Sequence, residues 1–233
     1  MTISYRFVVV AAVFVTCLIT ANIIAVKLIT LGVDPVGIGG LRLPAPLPAA
    51  IVIFPLTYIV GDVLTEVYGY RQARRVIWLG FFCNLVAVAA FWVAGLIPPL
   101  DPDVQTAYDR IFGYVPRILV ASFAAYLVGE FANSFVLAKM KIRTKGRFLW
   151  IRTIGSTVVG QGLDATIFIG IAFWGELPAA VLGSMIITHW LVKTAYEVAA
   201  TPFTYSVVNF LKKKEGIDHY DHDTDFNPLL VTR

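Results

Sequence analysis

The sequence predicts an all-α integral membrane protein with six spanning helices and both termini on the cytoplasmic side. Three observations carry that prediction: composition, the length of the apolar runs, and the placement of Lys and Arg. Of 233 residues, 58% are hydrophobic and 15% charged, with a mean hydropathy of +0.76. Soluble domains are roughly 45 to 50% apolar, and a core of this size could not use the excess. Several apolar runs reach the roughly 20 residues that a helix needs to cross about 30 Å of hydrocarbon. The spans fall at about 7–31, 47–68, 76–97, 114–139, 149–174 and 179–211, so residues 1–211 form a transmembrane domain and 212–233 a tail.

The first run begins after Arg6 and continues through Leu31, longer than the apolar part of a secretory signal, so it reads as a retained helix. Pro55 is expected to bend the second span, and Pro202 to kink or end the membrane part of the sixth. Orientation follows from the connections, because basic residues are retained on the cytoplasmic side. Alternate connections hold Arg6; Arg71, Arg74 and Arg75; Lys139, Lys141, Arg143, Lys145, Arg147 and Arg152; and Lys212, Lys213, Lys214 and Arg233. The intervening connections hold only Arg42, Arg110 and Arg117. Trp78 and Trp150 then mark the inner interface, and Trp92 and Trp174 the outer one.

This clustering of basic residues beside spans explains the net charge of +4 without nucleic acid. Cys17 and Cys83 lie inside apolar runs and read as buried hydrophobes, not as disulfide or zinc-site members. Between Val36 and Leu43 the Gly39-Gly40 pair predicts a tight hairpin. A phosphate-cradling role for it lacks the preceding strand and following helix. Asp101 and Pro102 read as the N-cap and first turn of a short outer helix, with Val104, Ala107, Tyr108, Ile111 and Phe112 on one face, in the position of a lid.

Function is sought in the polar residues that the spans carry, because an ionisable group near the bilayer centre costs roughly 2.5 to 3.5 kcal/mol and must face protein or water. The first span holds Asn22 and Lys27. The second holds Asp62, Thr65 and Glu66, whose two carboxylates share a face. The third holds Asn84. The fourth holds Glu130, Asn133 and Ser134, with Tyr126 one turn earlier. The fifth aligns Thr157, Gln161 and Asp164, and the sixth aligns His189, Lys193 and Glu197. Five polar stripes are most economically buried around one shared cavity. The candidate substrate-binding residues are Asn22, Asp62, Glu66, Glu130, Asn133, Gln161, Asp164, His189, Lys193 and Glu197.

Several of these polar residues have a structural reading beside the functional one. Glu66 and Lys27 lie near span ends, where a carboxylate reaches water and a lysine anchors the interface. Asn22, Asn84 and Thr157 could serve as interhelical hydrogen bonds, Lys193 could pair with a carboxylate to hold the bundle, and His189 could be a satisfied core histidine. The tail, with Asp218, His219, Asp221, His222, Asp223 and Asp225, reads as solvated and without a scaffold for a metal. Ala121, Ala125 and Gly129, and Ser156 with Gly160, are spaced for close helix approach. No metal or cofactor is called for, and no metalloprotease, serine-nucleophile or nucleotide-binding motif occurs, which argues against a membrane enzyme or direct use of ATP.

The run from Phe54 to Tyr70, with Gly61-Asp62-Val63-Leu64-Thr65-Glu66-Val67-Tyr68-Gly69 at its centre and Ala73-Arg74 after it, resembles the signature of the queuosine precursor transporters, also called the vitamin uptake transporter family. The resemblance extends to Asn22 and Lys27, Glu130 with Asn133, Trp150 and Arg152, Ser156, Gly160, Gln161 and Asp164, and the tail from Glu215 to Pro228. It implies import of 7-deazaguanine bases, the cyano and aminomethyl precursors of queuosine, across a bacterial inner membrane. It also implies a fold similar to the six-helix substrate-binding subunits of energy-coupling-factor transporters. The lipid bilayer is then a partner, and a homodimer or an energising partner stays open. An alternative reading makes the chain the specificity subunit of a larger transporter.

Overall fold

In a computed structural model, residues 4–38, 40–113 and 116–230 are described, without the side chains of Leu28 and of residues 116–119. Gly39 of the hairpin, Tyr114 at the start of the fourth expected span, the side chain of Arg117 and Arg233 lie outside the described residues. The chain is helical almost throughout. Its helices are α1 (Tyr5–Ile24), α2 (Phe54–Tyr68), α3 (Tyr70–Gly95), α4 (Pro102–Phe112), α5 (Pro116–Arg143), α6 (Leu149–Phe173) and α7 (Ala179–Glu215). Among the described residues, four are long and apolar enough to cross a membrane: α1, α3, α5 and α6.

Helix ends follow local chemistry. Ser4 caps α1, its hydroxyl accepting from the Phe7 amide at 3.1 Å. Asp101 caps α4 through the Asp103 amide, and three lysines in the last turn of α7 complement the carbonyl end of its dipole. The apolar run of the first span outlasts its helix, which stops at Ile24. The chain then forms β1 (Leu28–Ile29), paired antiparallel with β4 (Leu47–Pro48), and the expected hairpin, β2 (Val36–Ile38) against β3 (Leu41–Leu43). This connection is pinned to α7, where Ser184 and Thr188 hydroxyls accept from the amides of Arg42 and Ala45, each at 3.0 Å.

The second span is likewise not one helix. A 3-10 turn at Ala49–Val52 leads into α2, whose 15 residues rise only about 22 Å. Pro55 starts this helix instead of bending it, because in the first turn its missing N–H has no intrahelical acceptor to lose. Pro202 does not end α7, which runs on to Glu215. The arginines of the second connection stand on α3 itself, which begins at Tyr70, directly after Gly69. Gly69 has φ +85°, a conformation that L side chains rarely adopt, and a Cβ there would run into the His219 ring, so this corner favours glycine.

The helix α4 rests on the end of α3. The Tyr108 hydroxyl donates to the Phe91 carbonyl at 2.8 Å, and Phe112 meets the Phe91 ring at 4.6 Å. None of its residues lines the cavity described below, so the lid expectation is not met by this arrangement. The close-approach spacing is met: a Cβ on Gly160 would fall 2.9 Å from the Gly129 carbonyl oxygen and 2.8 Å from the Asn133 Cβ, so α5 and α6 cross nearly backbone to backbone. An apolar core joins α1, α2, α3, α5, α6 and α7 through residues such as Phe14, Leu64, Val67, Ile77, Leu149 and Val208.

The largest correction concerns the tail. Asp218, His222, Asp223 and Asp225 are exposed as expected, but the segment is not free: it docks under the bundle. Asp218 pairs with Lys141 at 2.6 Å and Lys212 at 2.9 Å, and Asp221, 2% exposed, accepts from the Tyr70 amide. Composition suggested solvation because its acidic groups had no visible partner. The partners are the basic helix ends, brought together only by folding.

Partial burial pushes the Asp218 carboxyl up, but the hydrogen bonds and charges of Lys141 and Lys212 outweigh this and hold it below its ordinary value. For Lys212, burial lowers the value, while Glu66 and Asp218 together raise it above the ordinary one. The carboxylate's contribution is therefore complete above about pH 4 and lost as pH falls through its lowered value; the lysine's is complete below about pH 10 and lost above that. In detergent, the thermal stability of the wild type should exceed that of Asp218→Asn by a constant margin from about pH 5 to 9, and the margin should close below about pH 4. The Gly160→Ala variant should unfold several degrees below wild type, a loss of about 1 to 3 kcal/mol, because backbone lies where the methyl would go.

Candidate functional site

Four helices present polar groups in register, and counting turns along them orders the groups into layers. From Phe54, α2 passes Tyr58, Asp62 and Glu66 at four-residue steps, and α7 similarly passes His189, Lys193 and Glu197. The helix α6 runs the other way, so Gln161 and Thr157 lie successively deeper than Asp164.

The outermost layer borders a cavity with about 520 Å³ of free space, its open mouth included. The last turns of α1, the α1–α2 connection, and the adjoining ends of α2, α5, α6 and α7 enclose it. Asn22, Asp164, His189 and Lys193 line it, together with Phe54, Tyr126 and Phe168. Lys193 Nζ lies 2.7 Å from Asp164 Oδ2 and 4.2 Å from the centre of the Phe54 ring. Asn22 donates to the Leu18 carbonyl at 3.2 Å and accepts from the Ser122 hydroxyl at 3.1 Å. Lys27 is exposed beyond the end of α1, as an interfacial anchor would be.

Below lies a buried polar layer made of Tyr58, Asp62, Glu130, Asn133, Thr157, Gln161 and Glu197, each at most 1% exposed. Only one hydrogen bond joins side chains of this set among the described residues, Asn133 Nδ2 to Asp62 Oδ1 at 2.6 Å. The Tyr58 hydroxyl, Asp62 Oδ2, both Glu130 oxygens, Asn133 Oδ1, the Thr157 hydroxyl, both polar atoms of Gln161 and both Glu197 oxygens have no hydrogen-bond partner. Buried polar groups are ordinarily paired, and each unpaired one costs about 1 to 3 kcal/mol, more if charged. The layer is also asymmetric: carboxylate and carbonyl acceptors outnumber donors. Asp62 stands in the fields of Glu197 and Glu130, and Glu130 in those of Asp164 and Lys193. Such a surface suits a flat ligand with several N–H donors and one carbonyl, and the cavity's aromatic rings offer faces for stacking.

Glu66 is placed elsewhere. Fully buried, it accepts from Arg152 Nη2 at 2.8 Å, Arg152 Nε at 3.2 Å and Lys212 Nζ at 2.7 Å, and Lys141 Nζ lies 3.6 Å from its Oε1 and 2.6 Å from its backbone carbonyl. Both carboxylate oxygens are thus held by cations, one turn beyond the unpaired layer. The structure therefore brings together Asn22, Asp164, His189 and Lys193 at the cavity, and Asp62, Glu130, Asn133, Gln161 and Glu197 beneath it, but sets Glu66 apart. Sequence reasoning gave no role to Phe54, Tyr58 or Phe168. The spacing of Phe54 and Tyr58 ahead of Asp62 was the available signal, since it continues the same helix face.

Residues 48–207, which include the whole buried layer, match the family described as "Putative vitamin uptake transporter". A Bacillus subtilis (strain 168) protein named "Probable queuosine precursor transporter" is 32% identical over 166 residues, 70% of this chain and 72% of that one. An Escherichia coli (strain K12) protein named "Queuosine precursor transporter" is 26% identical over 161 residues, 66% of this chain and 63% of that one. A "Probable queuosine precursor transporter" of Haemophilus influenzae is 25% identical over 121 residues, of which the chain spans about half the length, 49%. No solved structure matches. All three relatives are named as transporters, two of them as probable ones, and the chain, with its multiple membrane-crossing helices, belongs to the vitamin uptake transporter family.

Proposed function

We propose that this chain imports 7-deazaguanine bases, the cyano and aminomethyl precursors of queuosine, across a bacterial inner membrane. The observation that carries the reading is the layer of buried, unpartnered acceptors on α2, α5, α6 and α7 beneath an aromatic-lined cavity. A guanine-like edge presents adjacent N–H donors beside a carbonyl, which is the complement of a carboxylate beside an amide. In the proposed pose Asp62, Glu130 or Asp164 accepts from the donor edge, Gln161 or Asn133 meets the carbonyl, and Phe54 and Tyr126 cover the ring. The surplus of carboxylates over the single Lys193 also favours the cationic aminomethyl form.

The same reading completes six crossings by adding α2 with its 3-10 lead-in, and α7, to the four apolar spans. Arg6 Nη1 lies 3.4 Å from Glu215 Oε1, so the two terminal helix ends stand together, as an even number of crossings requires. The lysine- and arginine-rich end is then cytoplasmic, and the cavity faces the opposite side.

Purified protein in liposomes, followed with labelled deazaguanine base, tests the proposal. Wild type should take up the unmodified base. Correctly inserted Glu130→Gln and Asp164→Asn should each retain a tenth of that uptake or less, equivalent to about 1.4 kcal/mol of lost interaction. Wild-type uptake by both variants discards the residue assignment; binding without uptake points to a specificity subunit, and conversion of the base points to an enzyme.

A further inference from the structure

The bundle is hollow at one end and plugged at the other. Around the cavity mouth stand connections and small side chains, whereas one turn beyond the buried polar layer the helices close on the Glu66 cluster, set among the apolar residues Leu64, Val67, Leu149 and Val208. Below the cluster lies the C-terminal segment. For a ligand to pass from the polar layer out of this end, α2, α5, α6 and α7 must part where Glu66 joins them. Glu66 is on α2, Lys141 on α5, Arg152 on α6 and Lys212 on α7, so one carboxylate ties four helices.

The C-terminal segment ties the same helix ends from outside and adds α3. Lys141 Nζ donates to Asp218 and to the His219 carbonyl, each at 2.6 Å. Asp221 accepts from the free amide at the start of α3 at 3.1 Å. Phe226 sits between Tyr70 of α3 and Phe135 of α5, at ring distances of 4.9 and 5.2 Å. Arg74 donates to the carbonyls of Asp225 and Asn227, and Trp78 to that of Pro228.

We infer that the Glu66 cluster and the C-terminal segment together form the inner gate of a transport cycle, closed in this structure while the cavity side stands open. This rests on the transporter reading above. Charges suit such a gate because each, once separated, is rehydrated by the water that enters, whereas separated apolar faces recover nothing from water. The segment suits it because, apart from the buried Asp221, most of it lies at the surface, with Asp218, Asp223, Asp225 and Asn227 exposed, so it can lift as a unit while the bundle stays folded.

The full chain lacking Cys17 and Cys83 and carrying Ser134→Cys, an isosteric reporter between the polar layer and Glu66, gives the test in membrane vesicles exposing the basic end. A membrane-impermeant maleimide should label it at least tenfold faster when Asp221→Ala or Asp218→Asn weakens the segment; an unchanged labelling rate in inserted protein overturns the gate. Should those variants fail to insert, Phe135→Cys with Phe226→Cys allows the segment to be locked by oxidation. Uptake of the base should then fall at least tenfold on oxidation and return with reductant, and uptake continuing at the reduced rate in fully cross-linked protein overturns the gate. The labelling requires no substrate, so a failed gate and a failed substrate assignment give different results.

Discussion

Burying a carboxylate among apolar helices is the constraint on which this structure turns. Removing such a group from water costs several kcal/mol even after relaxation, so each one needs a partner or a reason to lack one. The chain uses both solutions on successive turns of the same helix. Glu66 has its oxygens filled by Arg152 and Lys212, with Lys141 beside it. One turn away Asp62 has one oxygen on Asn133 and the other unpartnered, and across from it Glu130 has neither filled. The first arrangement joins helices; the second leaves buried acceptors open.

The backbone makes this possible by bringing α5 and α6 unusually close. Gly129 and Gly160 let the two helices touch, which carries Glu130 and Gln161 toward α2 and α7 instead of leaving them on a wider, wetter perimeter. At the cavity, Lys193 is held between Asp164 and the face of Phe54, so its charge is compensated without being spent inside the layer. The bundle is open at the cavity, unpaired in the middle and ion-paired below.

Much of this was legible in one dimension. Helical spacing put Asp62 with Glu66, Gln161 with Asp164, and Lys193 with Glu197 on common faces, and the alternation of basic connections ordered the helix ends. The hairpin at Val36–Leu43 and the Asp101 cap followed from turn and cap chemistry. What misled was treating apolar length as helix length: the first run contains Leu28–Ile29, a strand, and the second begins with strand and 3-10 turn, because a β-branched or apolar run fits either conformation and only its partner decides. Glu66 carried the same ambiguity, since four-residue spacing cannot distinguish a group that faces a cavity from one that faces cations on three other helices.

The sequence by itself determined that the chain lives in a membrane, which helix faces are polar, and which end collects the cations, since these depend on composition and on the 3.6-residue period alone. Only the tertiary structure decided which carboxylates are paired and which are left open, and that the acidic tail docks against the basic helix ends. Pairing is a property of distances between segments far apart in the chain, as between Glu66 and Lys212 or Tyr70 and Asp221, and no local pattern encodes such a distance.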